Sequence, residues 1–512
     1  MTLGAHDSFN TARVCVPVSA SNYDELERLT SVASKFGDLV ELRLDYLHPD
    51  ELTIAQQQLH GLVERLKVPV ILTFRPSEEG GQRDLSLEQR KSFWRDLKKP
   101  PSAFFDIERD LCEQLAADDP GRIICSHHDF SGVPENLDEL YRELSSTSAR
   151  ILKIAVHAKD AVDCLPLFHL LNRASSEGRE LIALAMGDAG LATRVLGPSR
   201  GSFLTYASFE QGAETAPGQP TVERMKSVYR VDKITKHTAV YGLVGSPVLH
   251  SISPHVHNTA FETKRIDAVY LPFEVKDLDA FMKRMVHPRS RELDWQLKGL
   301  SVTAPHKLEI MKYLDWIDPR AVAVGAVNTV VVDGERLCGY NTDVDGFVEP
   351  LSKSVELTST TKVALIGAGG AANAAIWALK QKNADVVVFA RDPQKARTLA
   401  ERFEVTCRSL ESASFAGFDV VLNATPLGSF GSRADETPAT AEQLRGAFLA
   451  YDLVYNPIET RFLREARSAG CQTLGGLEML VAQAQLQFKL WTGQEAPASI
   501  MHAAAIHALA GQ

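Results

Sequence analysis

Long apolar runs are missing from this chain. No stretch of 18 or more apolar residues is free of breaks, and the nearest, Val363 to Leu379, holds three glycines and Asn373. That excludes a membrane-spanning helix and reads as a glycine turn between a strand and a helix. The N-terminus, MTLGAHDSFNTARVCVPVS, lacks a long apolar core and carries Asp7 and Arg13. A secretory signal is not expected there, and the segment before the first strand is too short for a transit peptide. Cysteine is scarce: seven residues, at 15, 112, 125, 164, 338, 407 and 471, with no CxxC pair. An odd, scattered set excludes a disulfide framework and makes no case for zinc; it suits a reducing, cytoplasmic setting, with a plastid open only if a transit peptide was removed. A surplus of positive charge is also missing. Lys plus Arg is 55 and Asp plus Glu 65, a net charge of −10. Nucleic acid and anionic membrane are therefore not expected partners.

What remains is 45% hydrophobic and 23% charged, the balance of a folded globular protein. The chain's 512 residues suggest roughly three domains at about 150 residues each.

The first 220 residues alternate between short β-branched or aromatic runs and polar stretches of helical pattern. The runs are Val14–Ser19, Val40–Tyr46, Pro69–Phe74, Phe104–Glu108, Arg122–Ser126, Ile151–Val156, Leu181–Met186 and Phe203–Ala207. Eight strands with helical connections are the count of a (β/α)8 TIM barrel, with an open eight-stranded sheet as the alternative. Polar residues favour the barrel, because its working groups sit at the C-terminal ends of strands. Glu41 and Arg43 lie in the second run; Arg75 ends the third and Glu79 follows in a Ser-Glu-Glu-Gly-Gly loop. Asp106 and Glu108 interrupt the fourth, His127 and His128 end the fifth, and Lys153 sits in the sixth. Arg194 follows the seventh; Thr215 and Gln219 follow the eighth. Ionisable residues in nearly every strand imply a cavity for a polar ligand.

Lys153 is flanked by apolar residues in ILKIAV. Burying an ammonium is costly, so such a lysine tends to lose its proton and becomes able to form a Schiff base with a ketone. A lysine paired with Glu41 or Asp106 across the barrel is the other reading. His128 is placed to act as acid and base, and Arg43, Arg75 and Arg194 to hold a carboxylate.

The segments ELRLD, TFRPSEEGG, SHHDF, ILKIA and TAPGQP, in that order over residues 12 to 222, resemble the type I 3-dehydroquinate dehydratases. The resemblance implies that Lys153 forms an imine with 3-dehydroquinate. It implies that His128 removes the neighbouring C–H proton and protonates the leaving hydroxyl. Glu79 would orient the histidine from a mobile loop, and Arg194 would bind the substrate carboxylate. Glu41, Arg43 and Arg75 would hold hydroxyls, and Gln219 would close over the substrate beside Thr215. Two departures stand out: His127 where the family usually has an aromatic residue, and Thr215 where it often has serine. The first leaves open which histidine is catalytic; His128 is preferred as the one directly before Asp129-Phe130.

Residues 220 to 237 are charged, lack strand pattern, and read as one surface helix plus a short linker. Strand patterns resume at Ala239, Val269–Phe273, Leu300–Val302 and Val327–Val332, followed by KVALIGAGG from Lys362. There Gly367, Ala368, Gly369, Gly370 and Ala371 follow a strand and open a helix, the layout that lets backbone approach a pyrophosphate. The next strand ends in Phe389-Ala390-Arg391, without the carboxylate that holds an NAD ribose. Arg391, with Lys395 nearby, favours NADP; Asp392 counts against it. Ser251 and Ser253, Thr303 and Lys307, and Asn328 and Asp343 occupy three short clusters that fit a polyol site. His250, His255 and His257 lack a paired carboxylate and helical spacing, so no metal is expected.

The ordered motifs SxSPxxHN, VTAPHK, GAVNT, GYNTD, GAGGAA, NATPLG and GGLEMLVAQA, over about 238 to 510, resemble shikimate dehydrogenase. The resemblance implies Lys307 and Asp343 as the catalytic pair and Ser251 and Ser253 on the substrate carboxylate. Thr303, Asn328 and Gln483 would hold its hydroxyls, Tyr455 would border the site, and Asn423 and Thr425 of NATPLG would join the cofactor site. Ile252 (often lysine), Ala390 (often asparagine) and the missing methionine after NATPLG are departures. Together the halves resemble the bifunctional dehydratase–dehydrogenases of the shikimate pathway, acting on 3-dehydroquinate and 3-dehydroshikimate to give shikimate with NADPH. The implied layout is a barrel over 1–222, a linker over 223–237, a substrate domain over 238–345, an NADP-binding Rossmann domain over 346–475, and returning C-terminal helices over 476–512. A catabolic quinate/shikimate dehydrogenase and a non-catalytic sensor are the competing readings, and the oligomeric state is open.

Overall fold

The computed structural model describes residues 12–115, 119–411 and 413–510, apart from the side chains of Pro393 and Lys395. Lys395, expected beside the cofactor, therefore lies outside the described residues. The chain divides into two units: Met1–Val240 with Asp267–Val286 and Ser290–Gln296, and Tyr241–Ile266 with His287–Arg289 and Leu297–Gln512. No helix among the described residues is long and apolar enough to cross a membrane.

The first unit contains eight parallel strands: β1 (Val14–Ser19), β2 (Leu39–Arg43), β3 (Val70–Thr73), β4 (Ala103–Glu108), β5 (Ile123–Asp129), β6 (Ile151–His157), β7 (Glu180–Met186) and β8 (Thr205–Tyr206). Their order is β7-β6-β5-β4-β3-β2-β1-β8, and a bridge from Leu181 to Ser202 brings the ends together. The last strand is shorter than the expected Phe203–Ala207 because its backbone serves both neighbours. Phe203 N donates to Leu181 O (2.8 Å), whereas Thr205 N and Ala207 N donate to Arg13 O and Cys15 O.

Strand side chains alternate with period two, so one parity of each strand fills the barrel. The inward parity begins as an apolar layer of Cys15, Leu39, Ile71, Phe104, Ile124, Ile151 and Ile182. Full burial of each such side chain contributes roughly 1.5–3 kcal/mol. Two residues further along β2 to β6 the same parity turns polar: Glu41, Thr73, Asp106, Ser126 and Lys153, all buried. Register aligns this layer, with Thr73 opposite Asp106 and Ser126 opposite Lys153.

Residues 220–237 differ from the surface helix expected. They form two short helical turns, Arg224–Val228 and Val231–Lys233. Met225, Tyr229 and Val231 are buried, and Lys226 Nζ donates to Phe36 O (2.7 Å). The charge of this stretch hid its apolar spacing.

A mixed six-stranded sheet comprises β9 (Ala239–Gly245), β10 (Ala268–Glu274), β11 (Leu297–Val302), β12 (Trp316–Ile317), β13 (Thr329–Asp333) and β14 (Arg336–Tyr340), ordered β10-β9-β11-β13-β14-β12. A second, parallel sheet comprises β15 (Lys362–Ile366), β16 (Asp385–Ala390), β17 (Thr406–Ser409), β18 (Val420–Asn423), β19 (Leu449–Asp452) and β20 (Gln472–Leu474). Its order, β17-β16-β15-β18-β19-β20, reverses beside β15. That is the doubly wound Rossmann arrangement, with the reversal point beside the glycine turn. Within the second unit, the helix Gly476–Thr492 packs on Asp343–Ser354, and Ala498–Ala510 packs on Ser253–Thr263.

Candidate active sites

In the barrel, Lys153 is only 4% exposed. Its Nζ donates to Asp106 Oδ2 (2.7 Å) and Tyr206 OH (3.1 Å), with Glu41 Oε1 3.9 Å away. The pairing across the barrel is thus present, with Asp106 as the partner. Arg75 Nη2 lies 2.7 Å from the same Asp106 oxygen. Burial alone would raise the Asp106 carboxyl, but Arg75 and Lys153 outweigh it and hold the group well below the usual range. Glu108, two residues on, goes the other way. Burial pushes it up to about 8, with Asp106 adding repulsion and Arg75 opposing. Glu41 accepts from Thr73 Oγ1 (2.6 Å), and Arg43 is committed to Asp45 through Nε and Nη2.

Parity separates the two histidines. Ser126 and His128 share the inward face of β5, so His128 lines the cavity with Lys153. Glu79 reaches it from the loop after β3. His128 Nδ1 and its backbone N lie 3.1 Å and 2.9 Å from Glu79 Oε2. Burial would raise the Glu79 carboxyl, but the hydrogen bonds from His127 and His128 lower it further. An ionised carboxylate only accepts, so the His128 hydrogen is on Nδ1 and Nε2 is left as the basic nitrogen. Burial, followed by the charge of Arg75, pushes His128 down to about 3. The loop needs glycine at 80: φ is +84°, and an added Cβ would sit 2.2 Å from the Phe130 ring.

Arg194 is 1% exposed and lines the same cavity. Among the described residues it has no ion-pair partner; Nη2 donates to Pro217 O (3.3 Å). Burial pushes the guanidinium down to about 10. A buried, unpaired guanidinium is expensive unless an anion answers it. Thr215 and Gln219 bond to each other above the cavity, Thr215 N donating to Gln219 Oε1 (3.0 Å).

In the second unit, a cleft of about 710 Å³ falls in the range of small-molecule sites, about 300–1,000 Å³. Lys307 Nζ donates to Asp343 Oδ2 (2.6 Å), and Asn328 Nδ2 donates to Asp343 Oδ1 (2.8 Å). Backbone bonds hold these segments together: Val302 N to Asn328 O, Val327 N to Lys307 O, and Asn328 N to Tyr340 O. Ser251 Oγ lies 3.1 Å from Ser253 Oγ. Tyr455, raised by burial and eased by its hydrogen bond with Ser251, borders the same cleft, as do Thr303 and Gln483.

The residues present fit a dinucleotide. Gly367 has φ +124°, and an added Cβ there would press on Ala424 O and Thr425. Gly369 and Gly370 meet nothing within 4 Å and open the twelve-residue helix Gly370–Gln381. That leaves open space at the start of the helix, where a pyrophosphate fits. Arg391 is exposed just beyond β16, free to meet a 2′-phosphate. Thr425 lines the cleft. Asn423 does not present its side chain there. It is fully buried, donating to Asp452 Oδ1 (2.9 Å) and accepting from Thr425 N and Oγ1; it shapes the turn that places Thr425.

Family models match the chain in the same sequence. They describe type I 3-dehydroquinase (residues 14–236), the shikimate dehydrogenase substrate binding domain (243–330), shikimate/quinate 5-dehydrogenase (350–445) and the shikimate 5′-dehydrogenase C-terminal domain (476–506). The bifunctional 3-dehydroquinate dehydratase/shikimate dehydrogenase of Arabidopsis thaliana, a chloroplastic protein, is 34% identical over 97% of this chain and 85% of its own. The chain belongs to the bifunctional dehydroquinate dehydratase/shikimate dehydrogenase family. The NADP(+) shikimate dehydrogenase of Oleidesulfovibrio alaskensis is 43% identical, over 53% of this chain and 96% of that one. A crystal structure of a shikimate dehydrogenase in complex with NADP+ is 36% identical, with a TM-score of 0.50, covering 54% of this chain and 97% of that one.

Sequence reasoning missed several residues of both sites in this family member. Tyr206, bonded to Lys153, sits in the shortest barrel strand. Thr342 donates its backbone N–H to Asn328 Oδ1 (2.7 Å). Gln487 accepts from Ser301 Oγ (2.9 Å) and donates to Thr329 Oγ1 (3.1 Å), bracing the strand that carries Asn328. Gln487 is four residues after Gln483 on one helix, so its spacing was the available signal.

Proposed function

We propose that the first unit dehydrates 3-dehydroquinate to 3-dehydroshikimate and that the second reduces this product to shikimate with NADPH. The observation that carries the first step is the buried Arg194, without an ion-pair partner among the described residues, in the cavity of Lys153 and His128: it fits the substrate carboxylate. Lys153 Nζ attacks the ketone carbon, and loss of water gives an iminium. Asp106, 2.7 Å from Nζ, stabilises that positive charge. The iminium accepts the electron pair released when His128 Nε2 takes the adjacent C–H proton. The same imidazolium then protonates the departing hydroxyl, and hydrolysis of the imine frees Lys153. Glu79 holds His128 in the required tautomer throughout.

In the second unit, bound NADPH supplies hydride. Lys307, held by Asp343, delivers the proton to the ketone oxygen. Asn328 fixes Asp343 from its other oxygen. Ser251, Ser253 and Tyr455 hold the carboxylate; Thr303 and Gln483 hold hydroxyls. Arg391 and the amides opening the helix at Gly370 would hold the dinucleotide phosphates. We place the protein in the cytoplasm, which its free thiols support.

Borohydride reduction in the presence of 3-dehydroquinate tests the imine. A stable adduct on Lys153 is expected, and an active preparation with unlabelled Lys153 would sink the mechanism. Turnover of shikimate and quinate with NADP and NAD separates the biosynthetic reading from the catabolic one.

A further inference from the structure

Adjacent residues of a strand point to opposite faces, and His127 and His128 obey that rule at β5. His128 enters the cavity and His127 leaves it, 24% exposed. Both rings nevertheless converge on one carboxylate. His127 Nδ1 is 3.1 Å from Glu79 Oε1, and His128 Nδ1 is 3.1 Å from Glu79 Oε2. The His128 backbone N–H completes the set on Oε2.

We infer that His127 is a positioning residue of the dehydratase, clamping Glu79 from the solvent side so that Glu79 in turn fixes His128. The inference rests on His128 being the acid and base. Glu79 stands on a short loop, and ordering a free glutamate side chain costs rotamer entropy. Bonds to Oε2 alone leave the carboxylate able to turn about its last torsion, which is broad and roughly two-fold. A donor on Oε1 removes that freedom before substrate arrives. Ionised Glu79 makes His127 Nδ1 a donor, just as it does for His128.

The clamp also divides the negative charge of Glu79 between two imidazoles. His128 is faced by Glu79 from the loop after β3, by Arg75 at the end of β3, by Asp106 of β4 and by Lys153 of β6. His127 is faced by Glu79 and by Asp129 of its own strand. Removing the His127 donor leaves more of the carboxylate's charge acting on His128, which favours its imidazolium. The acid limb of the dehydration profile then moves to higher pH.

The test compares His127→Phe, which removes the donor, with His127→Gln, which keeps one. His127→Phe should lower kcat for dehydration roughly 10- to 100-fold, the scale of a misplaced catalytic group. KM should stay within about twofold, as expected when only transition-state positioning is lost. His127→Gln should recover most of kcat. Borohydride trapping on Lys153 should remain complete in both, which shows that the barrel is folded and binds substrate. Native kcat and pH profile in His127→Phe, or a glutamine variant as impaired as the phenylalanine one, would overturn the clamp. A different result strikes the underlying reading: if His127→Gln loses dehydration while His128→Gln retains it, the base has been assigned to the wrong ring.

Discussion

Lys153, Arg194 and the Lys307–Asp343 pair illustrate how one buried charge acquires a task. Lys153 has an anion at 2.7 Å, so its burial is compensated before chemistry begins. Arg194 has none among the described residues, which supports the proposal that the substrate carboxylate compensates it. Arg194→Leu should therefore raise KM for 3-dehydroquinate roughly 10- to 100-fold, the equivalent of a charge-assisted hydrogen bond of about 1.5–3 kcal/mol. Steady-state rates check this, and an unchanged KM would remove the carboxylate from Arg194. In the second unit, Asp343→Asn keeps the shape of the site but removes the charge that holds Lys307. Shikimate oxidation should fall by about 10²- to 10⁴-fold, the range of general acid–base catalysis.

At the scale of the element, the loop from Ser77 to Arg83 shows how backbone decides chemistry. Ser77 N donates to Arg83 O, Gly81 N to Pro76 O, and Gly80 takes the left-handed conformation under the Phe130 ring. Gly80→Ala adds a steric cost of about 1–2 kcal/mol and forces the loop away from Phe130. Dehydration should drop by at least roughly tenfold while shikimate oxidation is untouched; both are read from one preparation. β5 carries a pH effect. The ordinary His128 value of 6.5 in the unfolded chain falls to about 3 in the fold. Between those values the unfolded chain binds a proton that the folded barrel does not. This contribution to stability is intact above about pH 6.5 and is lost progressively as pH falls towards about 3. Melting of the barrel should drop less steeply with acidification in His128→Asn than in the parent; equal slopes would exclude the histidine as the cause.

At the scale of the whole molecule, the two sets of candidate catalytic groups lie one in each unit. Lys153→Ala should abolish dehydration and leave shikimate oxidation within about twofold; Lys307→Ala should do the reverse, by about 10²- to 10⁴-fold. Coupled assays on the two variants check this, and loss of both activities in either would mean that the units are not independent. The order of the motifs, the barrel and the Rossmann sheet were legible in the chain, because periodicity and glycine turns are local properties. His128 is preferred from its place directly before Asp129-Phe130, and the structure puts it in the cavity lining. Asp106 was legible as a candidate partner of Lys153, with Glu41 as the alternative, and it is the one at 2.7 Å; Tyr206 from 53 residues away and Gln487 bracing β13 from 158 residues beyond Thr329 were not. Their roles depend on strand register and helix return, which no local pattern encodes. The amino-acid sequence by itself determined the family and the two chemistries, and it named most of the candidate groups that line the two cavities. Only the tertiary structure decided that Arg194 lacks a counter-charge among the described residues, that Asn423 turns away from the cleft, and that two histidines share Glu79. Each of these is a distance between groups far apart in the chain, set by how strands align and which faces they bury.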